Sequence, residues 1–365
     1  MKRYLSLDIL RGLTVAMMII VNNPGSWSHV YPMLRHASWD GCTPCDLVFP
    51  FFLFCVGVSM TFALAKYPGL TKDALKKVGK RGVLLYLAGL LLTAFPFYPV
   101  TQNPDLTFGQ NWVHWLSELR LVGVLPRIAM CYILGSVIVL WLKTPEKLAA
   151  AAGILCLLHV GLLLLFAGPE GAFTLEGNFA RRFDIALLGE GHVYQGYGIP
   201  FDPEGFIGAL TGTATVLIGY MVGGLIRKTA PVEASAKIFS LSAALLLGGL
   251  ALSLVIPINK PLWSASYVFY TAGWASFVLA LLIYVVDVKG YEKPFFPFKA
   301  LGMNALALFL LSGLLIKINW AYIGWNYSAI FGGNEFLSLV FAVLYMLLHL
   351  AIAVVLYRKK IFIKL

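Results

Sequence analysis

The sequence predicts an all-α polytopic membrane protein of about ten transmembrane helices, N-in and C-in, built as one transmembrane domain over residues 1–365. Three observations predict it. Of the 365 residues 59% are hydrophobic and only 12% charged, against about a quarter charged in a soluble domain. Apolar runs of about 20 residues recur along the whole chain, the length a helix needs to cross a bilayer, and a helix satisfies its own backbone polar groups there. Short alternating strands, the mark of a β-barrel, are absent from the sequence. The third observation is the distribution of the 28 Lys and Arg residues, set out below.

The spans are placed at 5–23, 45–65, 81–98, 119–142, 148–167, 205–226, 237–256, 264–286, 297–317 and 335–357. In the first, Lys2 and Arg3 precede the apolar run, Asp8 and Arg11 interrupt it, and no small-residue cleavage site follows. The reading is therefore a retained signal anchor, not a cleaved signal peptide. Asp8 and Arg11 stand one helical turn apart and can pair on one face. They either serve a cofactor site, as ionisable residues in a span commonly do, or fix the depth of the helix at the interface. Asn22 and Asn23 end the span. An amide there can donate to an oxyanion or simply turn the chain before Pro24.

The stretch from Asn22 to Gly57 is the densest in chemistry. His36 is the leading candidate, because its ordinary titration range suits proton transfer near neutrality. Asp40 and Asp46 are both near enough in sequence to orient its ring, and the sequence leaves the choice open. His29, in a Ser/Trp/Tyr segment, is the weaker competitor. Cys42-Thr-Pro-Cys45 invites a redox reading, but no second cysteine pair accompanies it. A local disulfide or two free thiols is the expectation, and Cys55, Cys131 and Cys156, in apolar runs, read as small buried hydrophobes.

Further along, Arg120 and Arg127 lie seven residues apart on one face of the fourth span. An arginine inside a span needs an anion. The choice lies between a phosphate- or thioester-bearing cofactor and an ion pair with Asp46, Asp202 or Glu204. Asp202 and Glu204, at the outer start of the sixth span, complement a helix dipole or grip an amino sugar. Asn259, Lys260 and Trp263, in the short connection before the eighth span, join them as substrate-binding candidates. Asn304 begins the ninth span from the cytoplasmic side and is grouped with the cofactor-binding candidates. Trp320, Trp325, Asn326 and Tyr327 suit a sugar, or an interfacial aromatic belt. No P-loop, dinucleotide fingerprint or zinc-ligand spacing is present, so no metal is expected. No internal repeat suggests a duplicated transporter.

With the N-terminus inside, 21 of the 28 Lys+Arg fall on the cytoplasmic side and every cytoplasmic connection is positive. The net charge of +11 is thus topology charge, and no nucleic acid is implied. The outer connections 24–44, 99–118, 168–204, 257–263 and 318–334 are mostly long and rich in aromatics, Asn, Gly and Pro, as functional loops are.

Eight stretches in order carry a resemblance to a known family. They are Leu-Asp-Ile-Leu-Arg-Gly (7–12), His-Ala-Ser-Trp-Asp-Gly (36–41), Asp-Leu-Val-Phe-Pro-Phe-Phe-Leu-Phe (46–54), Gly-Val-Leu-Pro-Arg (123–127), Phe-Asp-Pro-Glu-Gly (201–205), Asn-Lys-Pro-Leu-Trp-Ser-Ala-Ser-Tyr-Val (259–268), Val-Val-Asp-Val-Lys-Gly (285–290) and Gly-Met-Asn (302–304). On them the chain resembles the bacterial form of the transmembrane acetyltransferases related to lysosomal heparan-α-glucosaminide N-acetyltransferase. The resemblance implies one acyltransferase domain in the bacterial inner membrane. It implies acetyl-CoA as co-substrate, used from the cytoplasmic side, and transfer of acetyl to a glucosamine amine on the far side. It places the active-site histidine on His36 and its companion asparagine on Asn22. Cys42 and Cys45 depart from the family pattern, as does the expected absence of a large luminal N-terminal portion, which leaves assembly, as a homodimer or otherwise, open. The competing readings are an envelope-glycan O-acyltransferase and an amino-sugar transporter without chemistry.

Overall fold

The computed structural model describes residues 4–100 and 102–363. Its helices are α1 Leu5–Asn22, α2 Val48–Ala63, α3 Lys72–Ala94, α4 Phe108–Ser117, α5 Val124–Leu142, α6 Pro145–Leu165, α7 Phe179–Leu188, α8 Gly208–Lys228, α9 Pro231–Leu252, α10 Ala265–Leu282, α11 Phe296–Met303, α12 Ala305–Ile318, α13 Ser328–Phe331 and α14 Glu335–Arg358. Among the described residues nine helices are long and apolar enough to cross a membrane, which makes this an all-α polytopic membrane protein. Of these, α1, α2, α5, α8 and α10 are buried over more than half their length and form the inner group. Helices α6, α9, α12 and α14 are mostly uncovered and so present their apolar surface to lipid.

Three expected spans differ. The run 119–142 becomes helical only at Val124, so Arg120 stands outside the helix that carries Arg127 and the two do not share a helix face. The run 81–98 is carried by α3, which starts earlier, at Lys72, where the Thr71 hydroxyl caps it by accepting from the Ala74 amide. It stops at Ala94, before Pro96. Its uncharged part, 82–94, is about 20 Å long at 1.5 Å per residue, short of a ~30 Å hydrocarbon layer. Nonetheless α3 runs antiparallel to α5 along its length: Gly82 lies against Ile133, Gly89 against Leu125 and Pro126, and Gly69 beside Lys143. The ninth expected span, 297–317, is not one helix but two. It breaks at Asn304, whose side-chain amide turns away to bond the backbone of Ile361 and Ile363.

The long connections all gather at one end of the bundle. Trp39 Nε1 donates to the Phe173 carbonyl, joining 24–44 to 168–204. The Gly41 amide donates to the Ile258 carbonyl, and that of Gly25 to the Ser338 carbonyl. The Leu121 amide donates to the His192 carbonyl, and the Tyr98 and Tyr322 rings meet at 6.2 Å. At the opposite end the Asp287 carboxylate accepts from the amides of Leu5 and Ser6 and caps α1. Asn304 holds the residues after α14 there too, so Leu5 and Ile363 lie at the same end of the bundle. Lys2, Arg3 and Lys364, counted in the charge distribution, lie outside the described residues.

Small residues set the inner packing. A Cβ on Gly57 of α2 would stand 2.0 Å from the Val216 carbonyl oxygen of α8, and one on Gly219 would stand 2.2 Å from that of Phe54. The two backbones therefore touch, as small-residue crossings in membranes allow. This contact fixes α2, and with it Asp46 just ahead of its first turn.

Candidate active site

The approach to the site is a folded segment. At the end of α1, Asn23 Nδ2 donates to the Ile19 carbonyl at 2.8 Å. After a 3-10 turn at Pro32–Leu34 comes His36. A second 3-10 turn, Pro44–Leu47, leads into α2 and carries a capping box: the Asp46 carboxylate accepts from the Thr43 amide while the Thr43 side chain answers the turn. That Thr-Pro-Cys-Asp spacing is a turn-start signature readable in sequence.

Asp46 is the hub. Its Oδ1 lies 2.7 Å from His36 Nδ1, and its Oδ2 accepts from the Ala37 amide at 3.1 Å and the Thr43 amide at 3.0 Å. Its own carbonyl accepts from the Tyr267 hydroxyl at 2.6 Å. The carboxylate is 1% exposed and the His36 side chain 49%. A carboxylate only accepts, so Nδ1 carries the proton and the lone pair of Nε2 faces the open side. This arrangement can take a proton from, or attack, a group arriving from outside. It also resolves the open choice of orienting carboxylate. Asp40 faces away and binds Asn259 Nδ2 at 3.0 Å.

Lys260 completes the group. Its Nζ lies 3.0 Å from His36 Nδ1, 3.2 Å from Nε2 and 3.4 Å from Asp46 Oδ1. A rigid connection delivers it. Asn259 is fully buried, donates to the Trp39 carbonyl and to Asp40, and accepts from the Leu262 amide. The Ser264 hydroxyl accepts from the Asn259 amide. Trp263, 1% exposed, packs on Phe49 and Tyr267 at ring distances of 4.9 and 5.3 Å. Asn259 and Trp263 thus belong to the frame that holds Lys260, and their side chains face the interior.

The remaining candidates sort into three places. Asn22, in the last turn of α1, is exposed and makes none of the hydrogen bonds that hold His36. Arg120 grips Asp202 with two nitrogens, at 2.7 and 2.6 Å, and reaches Glu204 with the second. Asp202 also accepts from the Tyr194 and Glu204 amides, so these three form one ion cluster. Arg127, 1% exposed, donates to the carbonyls of Pro203, Glu204 and Gly205 and lies over the Trp263 ring. Its partners are backbone oxygens, not a carboxylate. At the opposite end of the bundle Asp8 pairs with Arg11, about 20 Å along α1 from Asn22, in the region where Asn304 sits.

Cys42 and Cys45 are free thiols. Burial, with Asp46 nearby, pushes the Cys42 thiol up to about 12, which removes the thiolate that redox exchange requires. Cys45 Sγ lies 3.1 Å from His36 Nδ1. That nitrogen's proton is already directed to Asp46, so the thiol packs on the ring without forming a cysteine–histidine relay.

Three further polar groups lie outside the motifs quoted above. Tyr197 packs on Trp39 at 6.0 Å and on Phe201 at 5.3 Å. Burial first, then the charges of Glu204, Asp46 and Asp202, raises its phenol and keeps it protonated. His159 lies fully buried in α6; a histidine inside an apolar run is itself a signal. Asp184 of α7 is 1% exposed, and its Oδ1 accepts from the Phe206 amide at 3.0 Å. Its Oδ2 sits so close to Gly205 that a Cβ there would come within 1.6 Å.

Burial pushes the Asp184 carboxyl up to about 7, well above the unfolded value of about 3.9. The folded state therefore holds this proton more tightly than the unfolded state. The stability it contributes is complete below about pH 4 and drains away as pH rises to about 7, at up to ~1.4 kcal/mol per pH unit. Thermal unfolding in detergent at pH 5, 6, 7 and 8 should show the wild-type midpoint falling to pH 7 and then levelling. Asp184→Asn should remove that fall. Parallel profiles for the two proteins would show that the buried acid does not titrate as its surroundings imply.

A family model described as "Heparan-alpha-glucosaminide N-acetyltransferase, catalytic" matches residues 3–171. Human heparan-alpha-glucosaminide N-acetyltransferase (Homo sapiens) is 29% identical over 99% of this chain and 59% of its own length. The mouse protein of the same name (Mus musculus) is 28% identical over 97% of this chain and 59% of its own. The chain thus spans a little under two thirds of the length of these curated relatives. The resemblance read from the motifs holds nearly end to end.

Proposed function

We propose, taking as premise that this is a heparan-alpha-glucosaminide N-acetyltransferase-like chain, that it is a transmembrane N-acetyltransferase. It moves the acetyl group of cytoplasmic acetyl-CoA to the amine of a glucosamine or terminal glucosaminide at the outer side of the membrane. The observation that carries this reading is the Asp46–His36 pair. A buried carboxylate holds one ring nitrogen, and the other is presented at the end of the bundle where the long loops meet.

The chemistry balances on these residues. The acceptor amine attacks the thioester carbonyl as His36 Nε2 takes its proton. The tetrahedral oxyanion collapses, the carbon–sulfur bond breaks, and His36 returns the proton to the CoA thiolate. In a two-step route His36 Nε2 first attacks the thioester carbonyl and takes the acetyl group as the carbon–sulfur bond breaks and CoA thiolate leaves. The amine then takes the acetyl group, and the proton it sheds goes by way of the freed ring to the CoA thiolate. An acetyl group trapped on His36 with acetyl-CoA alone would select that route. The Arg120–Asp202–Glu204 cluster and Tyr197 line the approach of the amino sugar. Asp8, Arg11 and Asn304 lie toward the opposite end, where the basic connections attract the CoA phosphates.

This reading sets the protein in a bacterial inner membrane with both termini inside. A reporter fused after Leu365 is expected to report the cytoplasm; an outer location would reverse the side on which His36 works. The deciding experiment is CoA thiol release by purified protein given acetyl-CoA and glucosamine, with the product treated with base. A base-stable amide supports N-acetyl transfer. A base-labile ester would point to O-acylation, and sugar uptake without thiol release would point to transport.

A further inference from the structure

We propose that Lys260 is a catalytic residue: its ammonium binds the oxyanion that forms on the acetyl carbonyl. The proposal rests on the acetyl-transfer reading above and gives that transfer a component the dyad lacks. An acyl transfer develops a full negative charge on the carbonyl oxygen, and stabilising that charge is commonly the largest single contribution to rate. Asp46 and His36 supply a base and its orienter but no donor for the oxyanion. Asn22, the residue that the sequence offered for this task, stands outside the hydrogen bonds that hold the ring.

The geometry favours Lys260. Its Nζ is nearly equidistant from both ring nitrogens, at 3.0 and 3.2 Å. A point about 3 Å from both cannot lie in the ring plane without colliding with the carbon between them. The ammonium therefore rides over the ring face, and the in-plane lone pair of Nε2 remains free. A carbonyl carbon at that lone pair, or an amine handing it a proton, brings the carbonyl oxygen beside Nζ. Asp46 Oδ1, 3.4 Å away, holds the lysine in place. The side chain is 15% exposed, so water screens the charge little. Its backbone is anchored by Asn259, buried at 0% exposure with donors and acceptor in use. The flexible stem then only has to turn from the ring to the oxyanion. The proton stays on Lys260 throughout, so the balance of the transfer is unchanged.

The test uses detergent-purified full-length protein with Lys260→Met and Lys260→Arg. Lys260→Met should lower kcat for transfer by about 10²–10³-fold, with KM for acetyl-CoA and glucosamine within a few-fold of wild type. Lys260→Arg, which keeps a cation, should recover part of the loss. A second readout needs no turnover. Carboxymethyl-CoA places a carboxylate near where the oxyanion forms; ethyl-CoA is neutral there. Wild type should bind the carboxylate analogue at least 10-fold more tightly than the neutral one, and Lys260→Met should abolish that preference while leaving ethyl-CoA binding intact. A preference that survives Lys260→Met, or a loss confined to KM, would overturn the role. Wild type that binds neither analogue would overturn the acetyl-CoA reading itself, and the proposal with it.

Discussion

His36→Ala is expected to lower acetyl transfer by about 10³-fold while leaving the protein folded and acetyl-CoA bound. The loss follows from the proton. An amine attacking a thioester must shed a proton, and a positioned base contributes about 10²–10⁴-fold to such a step. In this chain Nε2 of His36 is the ring nitrogen left free by Asp46. Among the described residues no neighbouring group substitutes for it. Lys260 is an ammonium beside a carboxylate, the Cys45 thiol is buried, and Asp46 is itself enclosed by two backbone amides. The fold should tolerate the change because the His36 side chain is half exposed and Asp46 keeps its other partners. Thiol release with and without glucosamine, plus a melting curve, checks this. A variant that transfers acetyl at near the wild-type rate would remove His36 from the mechanism, whatever the resemblance of its surroundings.

What could be read before any coordinates follows from the range of the interactions involved. The helices were legible because the bilayer imposes a strong, local requirement: some 20 apolar residues with self-satisfied backbones. The end at which the long loops gather was legible for the same reason, since basic residues and aromatics partition to different faces. His36 stood out because its ordinary titration range suits proton transfer near neutrality and Trp39, Asp40 and Asp46 lie within ten residues of it. The choice between Asp40 and Asp46 was not legible. Asp40 is nearer in sequence, yet a capping turn pulls Asp46 under the ring while Asn259, 219 residues away, claims Asp40. Lys260 comes from 224 residues away, so only the folded loop reveals that it faces the ring and not a substrate hydroxyl. Arg127 differs from the expected ion pair: three backbone carbonyls at the irregular start of a helix meet its guanidinium, and no carboxylate count predicts that. The break at Asn304 was hidden as well, because its apolar flanks read as one continuous span.

Asp46→Asn is expected to cost a comparable factor, about 10²–10⁴ in kcat, with little change in KM, and the reason is a tautomer. The side-chain amide must fit the same site with one oxygen and one NH2. Oδ2 of Asp46 accepts from the amides of Ala37 and Thr43. An NH2 group there would leave two buried backbone donors facing a third, at about 1–3 kcal/mol each. The amide oxygen therefore takes the Oδ2 place, and the NH2 turns to His36. Nδ1 must then accept, the ring proton moves to Nε2, and the nitrogen facing the substrate can neither take a proton nor attack. An equivalent change in a serine-protease triad costs about 10⁴-fold for this reason. Because the amide keeps the capping contacts, its melting temperature should stay near that of the wild type, whereas Asp46→Ala should lower both rate and stability. Asp40→Asn is the control: its carboxylate bonds Asn259, away from the ring, and its rate should stay within a few-fold of wild type. The opposite ranking, with Asp40→Asn inactive and Asp46→Asn active, would mean that the ring turns to Asp40 when substrate is bound.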